Sequence, residues 1–312
     1  MKNILPVLLV LGFSNCMTTR NTLKSYKIAY NVAENSKADD YEVYVMNSDG
    51  TDKANITRHP DVAWTYYAYQ DKLYWISDRD TCHRCYYLYV SDAAGKGAKK
   101  VSGLRLEDSW MSARNNGREL IVAGRVGKQL RYQLFLVDTG SGRFRQITSD
   151  TTAMYADPVF SPDGKRIVYR HKRKRLDRNE KADLWIANAD GSNSRQLTHY
   201  PAADTTAQWH SYHAGPPHWN ARINLITYQS KQNGKYRLMA VSPDGKQNFE
   251  LFDFGMGAGW HDWSPDGRWL AVELFPDENK PGDIYLWDYE TKALTRLTDG
   301  PGYEQSPVWV RK

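Results

Sequence analysis

Cysteine is scarce: the 312 residues contain three, Cys16, Cys82 and Cys85. One closely spaced pair excludes both a disulfide-built scaffold and a four-thiolate zinc site. The pair lies in TCHRCYY, and no His follows the second Cys, so covalent haem attachment is excluded as well. No thioredoxin-like βαβ pattern surrounds it, which argues against a redox-active dithiol. The remaining expectation is a disulfide between Cys82 and Cys85 that staples a loop. The chain also lacks a G-x-S-x-G elbow, a P-loop and a dinucleotide-binding fingerprint, so the common nucleophilic and nucleotide-dependent chemistries have no anchor in it. With 13 Pro and 22 Gly it is not low-complexity. Charge of one sign is not dominant either. Lys and Arg number 42 against 36 Asp and Glu, and the net charge of +6 suits polyanions or acidic surfaces without demanding them.

The apolar run Ile4–Phe13 is too short to span a bilayer. It follows one Lys and leads through small and polar residues to Cys16, the pattern of a secretory signal over residues 1–15. The ending is similar to a bacterial lipoprotein signal, although Phe13 and Asn15 depart from its usual residues. That resemblance implies a lipid on Cys16, which anchors without spanning. Residues 16–24 then read as an anchor and linker, and 25–312 as the folded part. Export to the periplasm or cell envelope permits the disulfide and makes nucleic acid an unsuitable partner.

What the sequence does contain is a repeat. Pro158–Thr198 reads PVFSPDGKRIVYR, a basic loop, then ADLWIANADGSNSRQLT. SPDG and ADGS suit tight turns, because Pro presets φ and Gly tolerates φ > 0. The alternation in ADLWIAN suits a half-buried strand. Comparable units end at Thr57, Ser102, Thr148, Thr198, Phe252 and Thr298, each preceded by an aromatic strand such as YEVYVMN or DIYLWD. Repeats of this length in short strands predict an all-β, six-bladed β-propeller of four-stranded blades. SPVWVRK at the C-terminus supplies one strand and SYKIAYNVA, YEVYVMN and ANIT supply three, so one C-terminal strand is expected to join three N-terminal ones and close the ring.

SPDG, an apolar strand, an aromatic strand, a DG turn and a final LT together resemble the TolB-like propeller repeat. The resemblance implies a propeller in an envelope setting. Strands are expected soon after Cys16, so the α/β domain that precedes the TolB propeller is not expected here.

Blade geometry puts the short turns on one face and the long connections on the other. The long ones are Asp78–Cys85, Arg170–Ala182, His199–Pro217, Phe275–Gly282 and Asp299–Ser306. Binding is expected on that loop-rich face. Its candidates are the basic loop (Arg170, Lys172, Arg173, Lys174, Arg175) and the aromatics Trp209, Trp219 and Trp260. Compensating Asp177 and Glu180 also fit a solvated loop, and several Trp residues fit a core. The insertion HYPAADTTAQWHSYHAGPPHW adds His210, His213 and His218, with His261 further on, a density that suits a divalent metal if three imidazoles converge. Exported oligogalacturonate lyases are related propellers that hold a metal through several His residues.

Two functional readings follow. The first is a non-catalytic binding or scaffold propeller with no cofactor, engaging an envelope protein or glycan and touching membrane only through a lipid anchor. The alternative is a metal-dependent polysaccharide lyase or hydrolase using residues 199–218.

Overall fold

A computed structural model describes residues 23–33, 40–127 and 132–312. The sequence patterns become strands in chain order. β1 (Tyr26–Ala33), β2 (Tyr41–Asn47) and β3 (Ala54–Asn55) come first. Next are β4 (Ala63–Tyr69), β5 (Lys72–Ser77), β6 (Tyr87–Asp92), β7 (Lys99–Leu106), β8 (Ser112–Arg114), β9 (Glu119–Arg125), β10 (Gln133–Asp138) and β11 (Phe144–Gln146). The template repeat gives β12 (Met154–Phe160), β13 (Arg166–Lys172), β14 (Asp183–Asn188) and β15 (Arg195–Gln196). Then follow β16 (His218–Asn220), β17 (Leu225–Gln232), β18 (Lys235–Val241) and β19 (Asn248–Phe252). The last are β20 (Gly257–Trp263), β21 (Trp269–Phe275), β22 (Asp283–Asp288), β23 (Leu294–Arg296) and β24 (Tyr303–Arg311).

Four sheets are self-contained and four-stranded: β24-β1-β2-β3, β12-β13-β14-β15, β16-β17-β18-β19 and β20-β21-β22-β23. The strands from β4 to β11 form one eight-stranded sheet, so there are four separate blades where six were expected. The cause is β7. It runs past the outer position of its own unit, and Arg105 and Leu106 pair with Arg125 and Gly124 of β9. The joint of β24 to β1 is present, from Tyr26↔Arg311 to Ala33↔Tyr303. Leu23 and Lys312 both lie on the short-turn side, where Ser48 Oγ donates to Leu23 O (2.8 Å) and Lys312 N to Ser25 O (2.9 Å).

One hydrogen-bond device explains the final Thr of the repeat. The Thr198 hydroxyl accepts the Leu184 amide (2.9 Å) and donates to Asp183 (2.9 Å), tying the outer edge to the start of the third strand. Thr57, Thr148 and Thr298 accept the amides of Val43, Leu134 and Ile284 in the same way. The SPDG turns share a second device, in which the Ser161 and Ser264 hydroxyls donate to Asp163 and Asp266 two residues on.

The core lies between sheets and contains Trp75, Trp287, Tyr30, Tyr228 and Phe135. The leading strands touch in a circuit: β24 meets β4 and β20, β8 meets β4 and β12, and β16 meets β12 and β20. They surround a central channel. Side chain to backbone bonds lock neighbours together, as Asp157 N to Ser109 Oγ (2.7 Å), Phe160 N to Ser112 Oγ (2.7 Å) and Trp309 N to Asp262 Oδ2 (2.9 Å).

Candidate functional site

The leading strands run from the loop-rich face to the short-turn face, so their last residues crowd the short-turn mouth of the channel. There they line a cavity of about 230 Å³ that includes Tyr67, Trp110, His218, Trp219, Arg222 and Asp262. His218 is held from two sides. Its ring meets Trp110 edge-on at 4.6 Å, and its Nδ1 lies 3.5 Å from Asp262 Oδ1. Asp262 is fixed by the Trp309 amide, and the Trp309 indole donates to the Asp262 carbonyl (3.1 Å). His261 lies behind His218, its ring tilted against it at 4.7 Å, and shares the Thr227 hydroxyl with Trp263. Burial, and then the neighbouring His218, push His261 well below the usual imidazole range, so it is neutral. The mouth thus has aromatic walls with the Asp262 carboxylate and the Arg222 guanidinium beside them, the guanidinium paired with Glu290.

The other end of the channel is polar. A local register shift in β12 sets Asp157 at φ +53°, so its carboxylate turns inward. It accepts from Arg170 Nε (2.8 Å), Ser109 Oγ (3.1 Å) and the Trp110 amide (3.1 Å). Arg170 also lies 4.8 Å above the Tyr212 ring. Tyr66 donates its hydroxyl to Asp108. Burial pushes Glu107 up to about 7, with Asp108 repulsion adding to it, and burial raises Asp108 too. A smaller cavity of about 90 Å³ is lined by Glu107, Asp108, Tyr132, Arg170 and Arg175 among others.

Several residues read as loop ligands have other roles. Arg170 and Lys172 belong to β13, opposite Ala156 and Met154, because the inner pairing continues further than the SPDG hairpin suggests. Arg170 is committed to Asp157, and Lys172 is buried. Arg173 pairs with Glu180 at 3.1 Å, Lys174 lends its amide to the same carboxylate, and Arg175 reaches the smaller cavity. Trp209 is exposed under Arg178 (4.9 Å). Trp219 lines the large cavity, and Trp260 packs edge-on against Tyr212 at 6.2 Å.

The histidines do not converge. His210 packs on Trp209, whereas His213 is buried edge-on against Tyr200 at 4.9 Å and pushed down to about 4, mainly by burial. Only His218 and His261 meet, and among the described residues no group of three or more His, Cys, Asp or Glu can hold a metal ion. The insertion uses its imidazoles as packing rings, and the donor set does not fit a metal.

Cys82 and Cys85 are bonded to each other, and Asp78 caps the same loop by accepting the Arg84 amide (2.6 Å). Cys16 lies outside the described residues. Sequence reasoning passed over Tyr66, Tyr67, Glu107, Asp108 and Arg222. The only signal was the acidic pair in LEDSW, directly before an inner strand.

No family model matches this sequence. The Tol-Pal system protein TolB of Anaeromyxobacter dehalogenans is 34% identical over 97 residues, which are 31% of this chain and 20% of that protein. The crystal structure of TolB from Acinetobacter baumannii superposes with a TM-score of 0.69, covering 92% of this chain and 67% of that one at 14% identity. The chain has a TolB-like β-propeller fold. The TolB-like match spans only about a fifth of that relative's length, 20%. An oligogalacturonate lyase from Vibrio parahaemolyticus shares the fold more distantly, with a TM-score of 0.54 over 83% of this chain and 72% of the lyase at 14% identity. Among the described residues, no helix of this TolB-like chain is long and apolar enough to cross a membrane.

Proposed function

We propose that this TolB-like chain is a non-catalytic scaffold of the bacterial envelope that receives a segment of a partner protein at its short-turn mouth. The carrying observation is the aromatic cavity of about 230 Å³ in which Trp110, Trp219 and His218 form the walls and Asp262 and Arg222 supply opposite charges. Rigid rings with fixed polar neighbours bind peptide side chains at low entropic cost. In this reading the halves β4–β7 and β8–β11 act as two blades fused at Arg105–Leu106, which makes the ring six-bladed. The protein resides in the periplasm or envelope with a lipid on Cys16, and substitution Cys16→Ser abolishes incorporation of labelled fatty acid.

A photo-crosslinking residue placed at Ala221, on the rim of the cavity, tests the binding reading in intact cells. A discrete adduct with a protein is expected, and it is lost in a Trp219→Ala, Arg222→Glu background. The same probe at Phe249, on an outer strand, gives no such adduct. Equal labelling from both positions, or none from Ala221, overturns the proposal. The lyase or hydrolase alternative required three converging imidazoles and has two in contact.

A further inference from the structure

The loop-rich face carries a surface that the channel does not use. Leu176 is 79% exposed and Trp209 is 57% exposed, the two most exposed large hydrophobic side chains among the described residues. They stand on different loops, Leu176 between β13 and β14, and Trp209 between β15 and β16. Arg178, two residues from Leu176, lies 4.9 Å over the Trp209 ring and joins the loops into one patch. His210 packs edge-on against the same indole at 5.3 Å. Arg173, Lys174 and Arg178 are exposed on the same loop as Leu176, which also carries Asp177 and Glu180. Glu180 is spent on Arg173. Lys174 and Arg178 have no carboxylate partner among the described residues.

We propose that this patch docks on an anionic lipid surface, with Leu176 and Trp209 entering between the headgroups and the loop's exposed cations pairing with lipid phosphates. Two observations select this occupant. The apolar side chains project, and neither lines a main cavity, so the surface inserts into its partner instead of receiving it. An amphipathic indole and an aliphatic tip beside exposed cations also match the polarity gradient of a bilayer interface. A groove for a peptide strand or a sugar chain would instead present concave walls.

The test is vesicle flotation with the Cys16→Ser chain, so that no acyl chain contributes. Binding to vesicles of equal phosphatidylglycerol and phosphatidylethanolamine is expected to exceed binding to phosphatidylcholine by about tenfold and to weaken in high salt. Leu176→Asp with Trp209→Ser is expected to lose about tenfold, while circular dichroism and melting stay as in the parent because both sites are exposed. An environment-sensitive dye on Leu176→Cys should shift to the blue on the anionic vesicles, and the same dye on Leu294→Cys, on an outer strand, should not. Equal flotation with both lipids, unchanged binding by the double variant, or the same dye response at both positions overturns the proposal. The outcome is independent of any adduct at the channel mouth.

Discussion

Single residues in the channel carry opposed electrostatic demands. Asp157 neutralises Arg170 inside the ring and also accepts from Ser109 and the Trp110 amide. Asp157→Ala leaves a guanidinium without its counter-charge and is expected to cost about 3 kcal/mol in urea unfolding. Glu273 is the reverse case, a buried carboxyl with no ion-pair partner among the described residues. Burial pushes it up to about 8, opposed only by the Trp260 amide. The folded chain therefore keeps this proton between the ordinary carboxyl range and about pH 8, where the unfolded chain has lost it. Across that window stability falls as pH rises. Glu273→Gln is expected to flatten the fall, gaining on the order of 2 kcal/mol over the parent at pH 9 relative to pH 5, measured by chemical denaturation. Neither role was legible in the sequence. The inward turn of Asp157 depends on the local irregularity in β12, and no residue spacing announces that.

At the scale of strands and turns the sequence is far more readable, because the same bonds recur from unit to unit. The closing Thr is visible as a motif since its hydroxyl does the same work at Thr57, Thr148, Thr198 and Thr298. Thr198→Val removes both an acceptor for Leu184 N–H and a donor to Asp183, and is expected to cost about 1–2 kcal/mol by thermal unfolding. The glycine turns are equally legible and carry a graded prediction, with Gly267 in an SPDG turn and Gly234 in the Asn-Gly turn between β17 and β18. Gly234 has φ +78° with no atom within 4 Å of an added Cβ, whereas Gly267 has φ +70° and its Cβ would meet Asn220 Oδ1 at 2.5 Å and Arg222 Cβ at 2.8 Å. Gly234→Ala is expected to cost about 1 kcal/mol from backbone strain alone. Gly267→Ala should cost more and displace Arg222, which a crosslink from Ala221 would register. Illegible at this scale was the extent of β13 and β7. Whether a strand ends or continues depends on its neighbour, and Met154 and Arg125 lie far along the chain from Lys172 and Arg105.

For the molecule as a whole, closure is the decisive property. β24 brings Val308, Trp309 and Val310 into two of the hydrophobic clusters and pairs with β1 along its length. Removing Tyr303–Lys312 exposes an unpaired strand edge and both clusters at once, so the truncated chain is expected to aggregate or lose cooperative melting, as read by size-exclusion chromatography and calorimetry. The Cys82–Cys85 bond spans three residues and restrains little chain, so its reduction is expected to lower stability by only about 1–2 kcal/mol. The repeat made this architecture legible, together with the joint between the chain ends. The weighting of the two faces was not, because loop length does not reveal which channel mouth gathers the rings. Both ends of the folded part emerge beside the aromatic mouth, through Leu23 and Lys312. Anything attached at either end therefore hangs over that opening, at an effective concentration of about millimolar for a short flexible link. A purification tag placed there competes with the natural occupant, whereas a membrane tether at the N-terminal end aims the mouth at its own bilayer and turns Leu176 and Trp209 toward whatever lies across the gap.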